Sequence, residues 1–218
     1  MEEQNLRILV LSDQVKRRIY SQTIKTTFHD VDLVVSCGDL PYYYLEYVVD
    51  VLNVPLYFVH GNHDPEVEIS ELSEKRQPGG GINLHRKFEK KNDVIFLGFE
   101  GSIRYSKARY QFTQWEVWMQ VLGKVPGLLL NRLLYGRYLD VLVTHSPAYQ
   151  VGDESDPAHI GFKAYRWLIK TFKPRYHFHG HIHIYDHVAF KPIDFEETQV
   201  INACPYKVVE ISGGTPRE

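Results

Sequence analysis

LYFVHGNHD, residues 56–64, decides the fold. A short, mostly apolar run, residues 56–60, leads into Gly61-Asn62-His63-Asp64. A run this short, closed by glycine, reads as a strand buried on both faces. Such strands pair in parallel beneath helical crossovers. The pattern recurs along the chain. Residues 6–11 run into Ser12-Asp13, and residues 31–36 run into Gly38-Asp39. Residues 139–143 end at Thr144-His145-Ser146-Pro147, and residues 176–178 at Gly180-His181-Ile182-His183. Helical character falls between them, at 17–28, 41–52 and 162–172. In open α/β sheets, ligands bind outside the carboxyl ends of the strands. Asp13, Asp39, Asn62, His63, Asp64, His145, His181 and His183 are therefore expected to converge on one edge.

The remaining chain is less regular. Residues 66–93 contain Gly79-Gly80-Gly81 and read as loop-rich. A strand is expected at 94–99, helices at 112–122 and 127–135, and tail strands at 188–190, 198–202 and 206–211. No composition shift marks a linker, so residues 1–218 are expected to form one domain, with a helical insertion at about 102–137. The formal net charge of -2 and pI of about 6.6 argue against a general nucleic-acid binder. His85-Arg86-Lys87-Phe88-Glu89-Lys90-Lys91 is basic but short, and reads as a solvated loop. Cys37 and Cys204 sit in apolar contexts and read as buried free thiols. The acidic start lacks a signal-peptide pattern, and no apolar run reaches the roughly 18 residues of a membrane span. The expectation is a cytoplasmic, soluble chain with no membrane partner.

The residue types at the strand exits have a chemistry of their own. Carboxylate and amide oxygens with imidazole nitrogens suit manganese, iron or zinc. One carboxylate can bridge two ions, and two ions roughly 3.5–4 Å apart can clamp the oxygens of a displacement at phosphorus. His181 and His183 point the same way if their segment is extended.

The ordered set Asp13, Gly38-Asp39, Gly61-Asn62-His63-Asp64, His145 and Gly180-His181-Ile182-His183 resembles the signature of the calcineurin-like metallophosphoesterases. That signature reads D-x-H, G-D, G-N-H-D/E, H, G-H-x-H. The resemblance implies an α/β fold, a four-layer α/β/β/α sandwich with the metal site at the carboxyl ends of the strands. It implies two divalent ions (Mn, Fe or Zn) and hydrolysis of a phosphomonoester or phosphodiester by a metal-bound hydroxide. Asp39 resembles the bridging ligand. Asn62, His145 and His181 resemble the other ligands of the second metal, and Asp13 and His183 ligands of the first. His63 is similar to the catalytic histidine, with Asp64 orienting and charge-stabilising its imidazole.

One position departs from the signature. D-x-H is Asp13-Gln14-Val15 here, so Val15 stands where an imidazole ligand is expected. Weaker or more selective occupancy of the first site follows, with water filling the vacancy. Gln14 faces away by side-chain alternation, and Lys16, Arg17 and Arg18 read as a solvated turn. Val15 also favours a second reading, a catalytically weak binding or scaffold protein on the same fold. His63 and Asp64 count against it. A nuclease is disfavoured by the short acidic chain. His60 and His179 read as core or supporting residues, and no role is assigned to His29, His85, His159 or His187. Trp115, Trp118, Met119 and Leu122 recur at helical spacing, as a core face, a pocket wall or the contact face of a homodimer. Tyr42, Tyr43 and Tyr44 read as an ordinary amphipathic helix start or as the source of one pocket-lining residue. The expected partner is a small phosphate ester.

Overall fold

The computed structural model describes residues 5–69, 74–183 and 191–212. The elements begin with β1 (Leu6–Leu11), α1 (Ile24–Thr27), β2 (Leu33–Ser36), α2 (Tyr42–Leu52) and β3 (Leu56–Phe58). Next come β4 (Glu68–Ile69), β5 (Glu74–Lys75), β6 (Gly81–Asn83), β7 (Phe88–Lys91) and β8 (Val94–Phe99). The middle holds β9 (Ser102–Ile103), β10 (Gln111–Phe112), α3 (Gln114–Leu122) and α4 (Val125–Tyr135). The chain continues with β11 (Val141–Thr144), α5 (Lys163–Phe172) and β12 (Tyr176–His179). It closes with β13 (Ile193–Phe195), β14 (Thr198–Asn202) and β15 (Tyr206–Ile211).

These strands build two main sheets. The first has the order β15-β1-β2-β3-β6; all its neighbours are parallel except β15, which runs antiparallel to β1. The second has the order β13-β14-β12-β11-β8-β7, parallel in its centre with an antiparallel strand at each edge. Leu6, Ile8, Val10, Leu33 and Val35 of the first sheet share a core with Phe96, Val141, Val143 and Phe178 of the second. The opposite face of the first sheet packs Leu9, Leu11 and Val34 against Ile24, Tyr44, Leu45 and Val48 of α1 and α2. The opposite face of the second packs Ile95, Leu97 and Leu142 against α3, α4 and α5. The continuous apolar runs are thus buried on both faces, as parallel strands require.

Each main helix has a local cause. In α5, Ala164, Tyr165, Leu168, Ile169 and Phe172 fall on one stripe and are all buried. Each large side chain in that stripe is worth on the order of 1.5–3 kcal/mol of burial. Thr113 and Glu116 close a capping box at the start of α3. α2 has no side-chain N-cap of its own. The Glu68 carboxylate accepts from the amides of Tyr42 (2.8 Å) and Tyr43 (3.2 Å) instead.

Two expectations are corrected. The helix expected at 17–28 is largely turns, with α1 its only helical turn. Tyr20, Ser21, Thr23, Thr26 and Thr27 are weak helix formers, and Thr23 makes no side-chain cap. The loop-rich 66–93 segment carries β4 to β7, of which β6 extends the first sheet and β7 edges the second. The strand expected at 188–190, and His187, lie outside the described residues.

Candidate metal centre

The exits of β1, β2, β3, β11 and β12 meet at one edge, and two glycines let them come close. A Cβ on Gly61 would lie 2.0 Å from Asp39 Oδ1. One on Gly180 would lie 1.9 Å from Ser12 Oγ and 2.6 Å from Asp13 Oδ2. Any side chain at either position would push a carboxylate out of place. Asp13 and Asp39 themselves take left-handed backbone, with φ of 63° and 56°, so each turns sharply off its strand.

The side chains then gather. Ligand atoms of Asp13, Asp39 and His145 lie within 4.8 Å of one another. Asp39 Oδ1 accepts from the His63 amide (2.8 Å), and its Oδ2 is 3.3 Å from His145 Nε2. His145 is fully buried and donates from Nδ1 to the Cys37 carbonyl (2.8 Å). Its Nε2 faces Asn62 Oδ1 (2.9 Å), and Asn62 Nδ2 donates to the Tyr105 hydroxyl (3.0 Å). His181 donates from Nε2 to the Ala158 carbonyl (2.8 Å), which leaves Nδ1 with the lone pair. The Asp13 carboxylate accepts from the His181 amide (3.1 and 3.0 Å), and His183 Nε2 lies 3.6 Å from its Oδ1.

The electrostatics fit a cation. Burial alone would raise the Asp39 carboxyl, yet the His145 charge and hydrogen bond and the His63 amide hold it at about 2. Asp13 is lowered too: burial opposes, but the His183 hydrogen bond and the His145 charge prevail. His145 is the counterpart. Burial should strip its proton, but Asp39 and Asp13 push it up to about 9. Nε2 thus sits among oxygen acceptors, and its proton stands where positive charge is needed. A divalent ion satisfies the same oxygens and leaves that nitrogen as a neutral ligand, the form in which histidine binds metals.

His63 and Asp64 part company. His63 is exposed beside a cleft of about 300 Å³ lined by Asp39, Leu40, Pro41, Asp64, Pro65 and Glu68. Asp64 is expected to orient the His63 imidazole, but its carboxylate is engaged elsewhere. It accepts from the amides of Gly61 (2.7 Å), Asp39 (3.1 Å) and Leu40 (3.1 Å). Three amides converge there because the β2 and β3 exits cross tightly. Burial and the nearby Asp39 charge raise this carboxyl to about 6.

A family model described as calcineurin-like phosphoesterase matches residues 6–185, a span that holds every one of these side chains. The chain belongs to that family. Among solved structures, TT1561 of Thermus thermophilus is similar at 14% identity and a TM-score of 0.62, over 97% of this chain and 100% of that one. A second crystal structure gives the same values. Vacuolar protein sorting 29 from Cryptosporidium parvum matches at 10% identity and a TM-score of 0.45, over 96% of this chain and 86% of that one. The two likenesses at 0.62 bear on the fold alone. No curated protein matches the sequence.

For a calcineurin-like phosphoesterase the surroundings of Asp13 are sparse. Val15 is 42% exposed in a segment without regular structure, and the His183 side chain is 38% exposed. Tyr105 is a participant that sequence reasoning missed: it reaches Asn62 across 43 positions, and no motif surrounds it. His60 turns away from the cluster, bonding Glu100 (3.0 Å) and stacking on Tyr110 (4.6 Å between ring centres). The family makes metal-dependent phosphoester hydrolysis the general class of activity. Among the described residues, no helix is long and apolar enough to cross a membrane.

Proposed function

We propose that this chain hydrolyses a small phosphomonoester or phosphodiester with two divalent ions. Asp39 would serve both ions, Asn62, His145 and His181 would hold one of them, and Asp13 and His183 would hold the other. The observation that carries this is the meeting of Asp13, Asp39 and His145, with ligand atoms within 4.8 Å, beside the exposed His63. When bound, the ions supply Lewis acidity and draw the pKa of a water towards neutrality. The protein's part is positional. The Cys37 and Ala158 carbonyls fix two imidazoles, and Tyr105 fixes the Asn62 amide. His63 faces the cleft, where it can protonate the leaving oxygen. Asp64 holds the loop that carries it.

The test is hydrolysis of p-nitrophenyl phosphate and its bis ester with added manganese, iron, zinc or magnesium. Activity is expected, and His63→Ala should lower it at least about a hundredfold. Full activity in that variant would remove His63 from the chemistry. A second reading, a weakly active or inactive binding protein on this fold, is favoured by one observation, the exposed Val15 at the first position. It predicts folded, metal-binding protein with no turnover on either ester.

A further inference from the structure

The outer face of α4 is apolar where a surface helix is ordinarily polar. Lys124, Gly127, Leu128 and Asn131 mark its inward side, with only Leu128 fully buried. Gly127 lies directly on the Phe88 ring, and Lys90 reaches the Tyr135 ring at 4.2 Å, so the helix runs along edge strand β7. The opposite side carries Leu129, Leu130, Leu133 and Leu134, which are 54%, 52%, 81% and 60% exposed. Just upstream on α3, Trp115, Met119 and Leu122 form an exposed stripe at helical spacing. The sequence pattern of Trp115, Trp118, Met119 and Leu122 therefore divides. Trp118 turns inward to Trp167, and the other three face solvent.

Scattered exposed leucines need no explanation, but a contiguous apolar ridge does. We infer that the leucine ridge of α4 packs against the same ridge of a second copy of this chain. Two arguments select that occupant. The first is charge. Between Val125 and Tyr135 the helix carries a single charged residue, Arg132. A ridge so poor in charge has nothing with which to select an acidic or basic partner, and it is complementary to itself, as a two-fold interface requires. The second is area. At ordinary side-chain sizes, the α4 leucines and the α3 stripe together expose on the order of 800 Å², about what each partner contributes to a standard interface. The i, i+4 spacing of Leu129 with Leu133 and of Leu130 with Leu134 supplies two parallel ridges, the geometry that lets helices interdigitate. This surface lies outside the metal-site cluster, so the inference stands whether or not the chain turns over a phosphate ester.

The experiment is sedimentation equilibrium of the full chain at micromolar concentration. Twice the 25.5 kDa protomer mass is expected. Leu133→Glu, and separately Leu130→Glu, should halve that mass. Both positions are exposed, so far-ultraviolet circular dichroism should stay unchanged, while the melting midpoint falls with the lost partner. Leu133→Cys should form an intermolecular disulfide under mild oxidation, and the buried Cys37 and Cys204 provide a quiet background. A monomer at all concentrations, or a dimer indifferent to both glutamates, would overturn the inference. So would a monomer that binds anionic phosphatidylserine vesicles through the ridge, since it would make a lipid surface the occupant.

Discussion

The two halves of the metal centre are built differently. In the half assigned to the second ion, His145, Asn62 and His181 are all buried, and each anchors its far atom on Cys37, Tyr105 or Ala158. In the half assigned to the first, the Asp13 side chain is buried, but His183 is over a third exposed and Val15 offers no donor. Anchored ligands cost little to organise when an ion arrives, whereas loose or missing ones must be ordered or replaced by water. The contrast teaches that one substitution in a motif can leave one side of a metal cluster loose while the other stays anchored.

The contrast can be broken most forcefully at its shared member. Asp39→Asn weakens the carboxylate common to both halves. Activity should fall about a thousandfold, in keeping with several kcal/mol of lost charge stabilisation, and metal content should drop with it. An active, fully loaded variant would end the bridging assignment.

Acid should act next, and on the rigid half. Behind its ligands, His177 and His179 are buried, and burial holds both imidazoles neutral, His179 at about 4. Their folded pKa values lie below the unfolded value near 6.5. The stability they hold is therefore complete above pH 6.5 and is lost as pH falls towards 4. Urea unfolding of the metal-free chain at pH 7 and pH 5 should differ by about 2 kcal/mol for His179 alone. A flat profile would mean that the neutral histidines are not a property of the folded chain.

Smaller changes should move one half at a time. Tyr105→Phe removes the hydroxyl that fixes Asn62, and should weaken the second ion about tenfold with the first unaffected. Calorimetric titration with manganese separates the two. Val15→His restores the missing imidazole and should tighten the first ion severalfold, narrowing the gap between the halves. If both ions bind equally tightly before that change, the asymmetry is absent from solution.

Much of this was legible in the sequence, and the limits have physical causes. The runs at 6–11, 94–99, 198–202 and 206–211 become strands with those bounds, because burial on both faces imprints itself as continuous apolar sequence. The convergence of Asp13, Asp39 and His145 follows from topology, since parallel strands place their carboxyl ends on one edge. What local pattern cannot carry is long-range pairing. Tyr105 meets Asn62 only because the segment after β9 folds back over the β3 exit. The Asp64 carboxylate finds three amides only because two turns cross. The periodicity of α4 announced a helix but not which side would face water.

The Asp64 carboxylate has one further meaning. It acts as a rivet through two layers of loop: the turn that presents Asp39 and the turn that presents His63 cannot drift apart while it holds. Damage there would not stay local. Losing it strands three amide hydrogens in a confined space, each at roughly 1–3 kcal/mol. The turn that presents Asp39 and the turn that presents His63 would then lose alignment in the same event. In this chain the settings of Asp39 and His63 are mechanically one part.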